Sequence, residues 1–159
     1  MQNEPATLAT DAPSQFPLHQ YLTYRLSRVQ AKLNVQGARL LRDTVGLTLS
    51  QWRIVALIGA AGRTRLSTIA REAALDKGLL SRNLKNLIEL GIVTSRQDED
   101  DHRVQHLSLS PRGQEIFERA LPVTRKRQEW LRKDLSEEEI RIFRRVLDKL
   151  ECAAERMEF

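Results

Sequence analysis

Apolar residues recur along this chain at helical spacing, in blocks separated by short polar breaks. In the first block Leu18, Leu22, Leu26, Val29, Leu33 and Leu40 form a heptad-like seam, interrupted by polar Gln36. Pro17 suits the first turn of that helix. About 26 residues at 1.5 Å each make a rod about 40 Å long, more than a small domain behind it needs. Part of its apolar face is therefore expected to meet another chain. Thr48 and Gln51 form a T-x-x-Q capping box, and Trp52, Val55, Ala56, Leu57 and Ile58 supply the buried side of the helix it starts. Gly59 and Gly62 then loosen the chain before Arg63 to Arg65.

The stretch 67–104 reads as two short helices followed by a strand, a charged turn and a second strand. Ile69 and Ala73 share a face of the first helix, and Leu75 lies in the turn after it. Asp76 stands where an N-cap belongs, its carboxylate placed to accept a free backbone N–H and to face the positive end of the helix dipole. Beyond it Leu80, Leu84, Leu87 and Ile88 mark one buried stripe. The opposite face carries Lys77, Gly78, Ser81, Arg82 and Lys85, with no negative charge until Glu89. Gly91 is placed to end the helix in a left-handed conformation. Ile92 and Val93 begin a strand, Gln97 to His102 form a tip, and Val104, Leu107 and Leu109 anchor the return. The pattern is a helix-turn-helix followed by a β-hairpin, a winged helix.

Ser110 and Pro111 open a fifth helix as N-cap and first-turn proline, with Ile116, Phe117, Ala120 and Leu121 as its stripe. Pro122 should kink or break it by removing a hydrogen bond. Residues 124–132, dense in Arg and Lys around Trp130, would continue at a new angle. Ser136 with Glu139 is a second capping box. Ile140, Phe143, Leu147, Leu150, Ala154 and Met157 then alternate spacings of three and four, the narrow seam of helix-on-helix packing. With the first helix, this seam argues for a homodimer.

Several motifs in order resemble the MarR family of bacterial transcription regulators. They are LTLSQWRIVALI at 47–58, the paired Ser81 and Arg82, the L-x-x-x-G of Leu87 to Gly91, the D-x-R of Asp101 and Arg103, and the L-S-P-x-G of Leu109 to Gly113. The likeness covers most of the chain beyond about residue 17. It implies a mainly α fold with a small β-hairpin wing, and first and last helices that interleave across a two-fold axis. It also implies that Arg103 reaches into a minor groove while Asp101 holds the wing loop. His102 stands where the family often has another arginine, which implies a weaker and pH-dependent wing contact. The organisation expected is a mobile tail at 1–15, dimerisation helices at 16–46 and 110–159, and a winged-helix DNA-binding lobe at 47–109, all in one intertwined domain.

Composition bounds this reading. The chain has 159 residues, 41% hydrophobic and 30% charged, enough for one core. A formal charge of +5 suits a polyanionic partner, although much of the basic excess lies outside the recognition helix. The tail has no Lys or Arg before Arg25, which argues against a DNA-touching arm. The N-terminus lacks the pattern of a signal peptide and no apolar run is long enough to cross a bilayer, which points to a cytoplasmic protein. Cys152 is the only cysteine, which rules out an intrachain disulfide. It sits beside the last seam as a small packing residue, with redox sensing as the alternative.

The candidate DNA-binding residues are Lys77, Gly78, Leu79, Ser81, Arg82, Lys85 and Arg103, with Asp101 as support for the wing. Arg82 is the candidate for a bidentate guanine or phosphate contact. Leu79 is placed either to touch a thymine methyl or to join the core. Asp98, Glu99, Asp100 and Asp101 crowd the wing tip and would be repelled by phosphates; three of the four read as solvated turn residues. His19, His102 and His106 stand in no acid–nucleophile pattern, and no metal or phosphate-loop motif occurs, so neither an enzyme nor a cofactor is expected. Because the family often binds small aromatic acids, Tyr24, Arg28, Trp52 and Arg53 are the candidate ligand contacts, an aromatic ring beside a guanidinium suiting a carboxylated ring. The function expected is a sequence-specific homodimeric repressor of double-stranded DNA released by such a ligand. The alternatives are a non-specific architectural DNA-binding protein, a redox-responsive regulator using Cys152, and a protein-interaction module that has lost DNA binding.

Overall fold

A computed structural model describes residues 17–156. The tail at 1–15 and Met157 lie outside the described residues. The chain divides into two compact units between Gly37 and Ala38, within the first long helix.

In the first unit a 3-10 turn, Leu18–Gln20, precedes that helix, α1 (Leu22–Val45). The expected start at Pro17 is therefore displaced. No side chain caps the turn after Pro17, and Tyr21 is extended, so the α-helix begins only at Leu22. Leu18, Leu22, Leu26, Val29 and Val35 are all exposed.

The second unit holds the remaining elements. Thr48 closes its capping box with Gln51 at the start of α2 (Leu49–Ala61). Next comes β1 (Arg63–Arg65), a strand the sequence did not suggest because three alternating Arg and Thr residues carry no apolar signal. It is followed by α3 (Leu66–Glu72) and α4 (Lys77–Glu89), then β2 (Val93–Gln97) and β3 (Gln105–Leu109). The sheet is antiparallel in the order β1-β3-β2, with Thr64, Leu107 and Ser95 in one row on its inner face. Ser110 caps α5 (Pro111–Arg132), and a Ser136–Glu139 capping box opens α6 (Glu137–Ala154).

The core joins Leu47, Ile54, Val55 and Ile58 from α2 and its approach to Ile69, Ala73, Leu80, Leu84, Leu87, Ile92, Val93 and Leu107. Burying each large aliphatic side chain contributes roughly 1.5–3 kcal/mol, so this cluster fixes how α4 and the wing are presented. Ile88 departs from the expected stripe: it lies at the margin of the buried face and is 37% exposed. Trp52, Ala56 and Leu57 are half-buried, and Ile54 takes the central place in α2.

Of the kink or break expected at Pro122, the break is corrected. Helix α5 runs unbroken through Pro122. Pro122 and Glu118, whose carbonyl loses its usual donor, are both exposed, so water can replace the missing N–H. On α6 only Ile140 of the expected seam is buried within the single chain, while Phe143 and Leu147 are exposed, as a seam that packs on a second chain requires. Cys152 is likewise exposed rather than packed, with Arg156 Nη2 3.8 Å from its sulfur. Among the described residues, no single helix is long and apolar enough to cross a membrane.

Candidate nucleic-acid interface

Local chemistry sets the start of α4. The side chain of Asp76 accepts the Leu79 N–H at 2.8 Å, and the first turn presents Lys77 and Gly78 to solvent. Because Leu80, Leu84 and Leu87 are held in the core, helical periodicity turns Ser81, Arg82 and Lys85 outward. Lys85 makes a long surface ion pair with Glu89, 3.8 Å, which is weak at such exposure. A Cβ placed on Gly78 would meet Arg82 Nη1 and Asp76 Oδ1, each at 3.3 Å. The absent side chain thus leaves room for the Arg82 guanidinium to lie back over the first turn. Leu79 is half-buried, its carbonyl accepting from Asn83.

Two contacts that sequence reasoning missed hold the helix-turn-helix. Arg53 Nη1 donates to the carbonyl oxygens of Ala73 and Ala74 at 3.0 and 3.2 Å. Ala74 has φ of 49°, a left-handed conformation costing a non-glycine residue roughly 1–2 kcal/mol, and the guanidinium clamps the backbone at that turn. Gln51 Nε2 donates to Asn86 Oδ1 at 2.7 Å, tying α2 to α4. No sequence motif marks either contact, since both depend on how the helices cross.

The candidate ligand residues are engaged locally. The Trp52 ring stacks near Phe117 at 6.0 Å and 23°, and Arg53 is the turn clamp just described. In the first unit, Arg28 lies 5.9 Å from the centre of the Tyr24 ring, whose other neighbour is His19, edge-on at 5.4 Å.

The wing tip is closed by its own acids. Asp101 Oδ1 accepts the Arg103 N–H at 3.0 Å, and its carbonyl accepts the Val104 N–H at 2.8 Å. Arg103 is exposed, and its guanidinium has no ion-pair partner among the described residues. His102 lies exposed beside it. Asp98 is not the solvated turn residue expected. Its Oδ1 accepts the N–H groups of Asp100 and Asp101, and its Oδ2 lies 2.9 Å from His106 Nε2. The His106 hydrogen bond, then those two backbone bonds, hold the Asp98 carboxyl below the usual carboxylate range. The pairing follows from register: Arg96 stands opposite His106, so Asp98 is the next residue on the same face.

Helix, turn, recognition helix and three-stranded wing in this order match known proteins. The MarR family model matches residues 45–104. Over that stretch the winged helix is that of the MarR family, and the matched relatives are HTH-type transcription regulators. The HTH-type transcriptional repressor IacR of Pseudomonas putida is 24% identical over 137 residues, 86% of this chain and 81% of that one. An uncharacterised HTH-type regulator of Staphylococcus aureus is 34% identical over 68 residues, and the chain spans about half (47%) of its length. Among solved structures, a MarR/EmrR family regulator from Acinetobacter superposes with a TM-score of 0.79 at 24% identity, over 85% of this chain and 95% of that one. A mutant MarR from E. coli complexed with operator DNA gives 0.65 at 24%, over 79% and 93%. NadR in complex with 4-hydroxyphenylacetate gives 0.67 at 21%, over 82% and 94%. At these identities the structures show a shared fold.

Proposed function

We propose that the chain is a MarR-family regulator, a homodimeric repressor that reads a pseudo-palindromic operator with α4 and is released by a small aromatic carboxylate. The observation that carries the DNA reading is the solvent face of α4. Lys77, Gly78, Ser81, Arg82 and Lys85 lie together on an exposed helix whose other side is locked in the core. Arg82 is assigned the base contact, Lys77 and Lys85 the phosphates, and Leu79 a thymine methyl at the edge of the face. Arg103, on a turn closed by Asp101, is assigned the minor groove. Two such helices would enter successive major grooves about 10 bp apart.

The dimer is supported by apolar residues left exposed in each unit: Leu22, Leu26 and Val29 on α1, and Ile142, Phe143 and Val146 on α6. For the effector, Tyr24 and Arg28 keep a ring beside a guanidinium, whereas Arg53 Nη1 and the Trp52 ring already have partners. A ligand releases DNA only by binding more tightly to the dimer geometry with mismatched helix spacing.

The test is selection of tight-binding duplexes from a random pool by the purified protein across a salt series. An enriched inverted repeat supports the repressor. Uniform, salt-sensitive binding without a motif would instead mark a non-specific architectural protein.

A further inference from the structure

The outer face of the wing sheet bears a second concentration of positive charge, separate from α4. Alternation along the strands puts Arg63 and Arg65 of β1, His106 and Ser108 of β3, and Thr94 and Arg96 of β2 on this face. One cross-strand row is Arg63, Ser108, Thr94, and the next is Arg65, His106, Arg96. None of the three guanidiniums has an ion-pair or hydrogen-bond partner among the described residues. Acids stand two to four residues from Arg96, yet Asp98 is committed to His106 and to backbone N–H groups. Like charges gathered on one sheet face repel, so this arrangement favours an anion.

There is room for one. A cleft of about 460 Å³ lies over the face, lined in part by Thr94 and Ser108, whose hydroxyls are hydrogen-bonded to each other at 2.8 Å. Arg63 and Arg96 both line it, from the two strands that flank β3. Strand spacing of about 4.8 Å and rise of about 3.4 Å place their backbones about 12 Å apart, a distance two arginine side chains can close around a shared oxyanion. Asp98, Glu99 and Asp100 border the end toward the wing tip, which confines an anion to the end that holds the hydroxyls. The lining is polar and offers no flat apolar wall for a ring. The inner face of the same sheet is packed by α2, α3 and α4, so the arginine face is turned away from the recognition helix.

We infer that this cleft is a binding site for a small, non-aromatic oxyanion, a phosphate or polycarboxylate, gripped by Arg63 and Arg96 over the Thr94–Ser108 hydroxyl pair. Guanidinium forks match both anions in geometry, so the two sources are separated by experiment.

The test titrates the full-length protein at low ionic strength with inorganic pyrophosphate and, separately, citrate, by calorimetry and by amide NMR shifts. Saturable binding of at least one probe is expected, with shifts centred on residues 63, 94–96 and 106–108. The Arg63→Gln/Arg96→Gln pair should weaken binding by at least about tenfold, as expected for the loss of two charge-assisted contacts. Arg39→Gln/Arg42→Gln, which removes the same charge from an exposed helix face, should not. Binding that is absent, or equal in both double variants, overturns the inference. So does a duplex affinity that falls with Arg63→Gln/Arg96→Gln while the wild type binds neither probe, because the arginines would then be phosphate-backbone contacts. The wild-type shift map decides even if the double variant fails to fold: shifts confined to α4 also overturn the site.

Discussion

Asp98 and His106 join the tip of the wing to the outer face of its sheet through a 2.9 Å contact between Oδ2 and Nε2. The same carboxylate accepts two backbone N–H groups through its other oxygen, so one side chain holds both the turn and its attachment. These bonds lower the Asp98 pKa in the folded wing. A lowered folded value means the stabilisation is fully present above the unfolded carboxylate pKa and is lost as pH falls through the folded one. The wing tip should therefore stay closed at neutral pH and loosen only in acid, below the usual carboxylate range. Amide exchange at Asp100, Asp101 and Val104 measures this. Asp98→Asn should speed exchange at neutral pH and remove that acid component; an identical acid profile in the variant would rule it out.

Arg82 and Lys85 share a face but should fail differently when removed. If Arg82 forks onto a base, Arg82→Ala costs about 1–3 kcal/mol on the selected operator and relaxes preference at one base pair. If Lys85 holds a phosphate, Lys85→Ala weakens all duplexes alike and lowers the slope of log affinity against log salt by about 1. Fluorescence anisotropy on operator and scrambled duplexes at several salt concentrations separates the two. Equal losses on both duplexes for Arg82→Ala would reassign it to the backbone.

Gly113 sits where α5 meets the end of the recognition unit, and a Cβ there would overlap the carbonyl oxygen of Ile92, with Leu109 Cβ 3.3 Å away. The obstacle is backbone, and Ile92 cannot yield because that carbonyl also accepts the Ser110 N–H. Gly113→Ala should lower stability by about 1–3 kcal/mol, the range for overpacking, read as a shift in denaturation midpoint at unchanged slope. Gly59→Ala meets only the Phe117 ring, at 2.7 Å, which can rotate, so its effect should be smaller. Equal effects would contradict this account.

The helix boundaries were legible because their signals are local. Thr48, Asp76, Ser110 and Ser136 each cap the helix that begins beside them, and Gly91 takes the left-handed conformation that ends α4. What was hidden depends on partners far along the chain. Strand β1 exists because Thr64 pairs with Leu107, and no three-residue pattern could reveal that. Arg53 looked like a ligand group from its neighbour Trp52, yet its carbonyl partners lie 20 and 21 residues away. The basic, solvent-facing side of α4 was visible in outline from periodicity and charge, whereas the arginine face of the wing needed the strand register.

The exposed face of α6 makes the last prediction. Leu135, Ile142, Phe143 and Val146 line an apolar cleft with Glu139 at its edge, and Phe143 is 55% exposed. Covering a large apolar side chain contributes roughly 1.5–3 kcal/mol, and a two-fold interface counts each residue twice. One buried position per protomer is then worth about 3–6 kcal/mol to a dimer, or roughly two to four decades in dissociation constant. Phe143→Glu would place a charge there in both copies and should convert the dimer to monomer at micromolar concentration in sedimentation equilibrium. Because α4 and its core lie elsewhere, the monomer should keep its fold by circular dichroism. It should also lose far more affinity for an inverted repeat than for a single half-site. If the variant sediments as the wild type does, the apolar face of α6 is not the seam that joins the two copies.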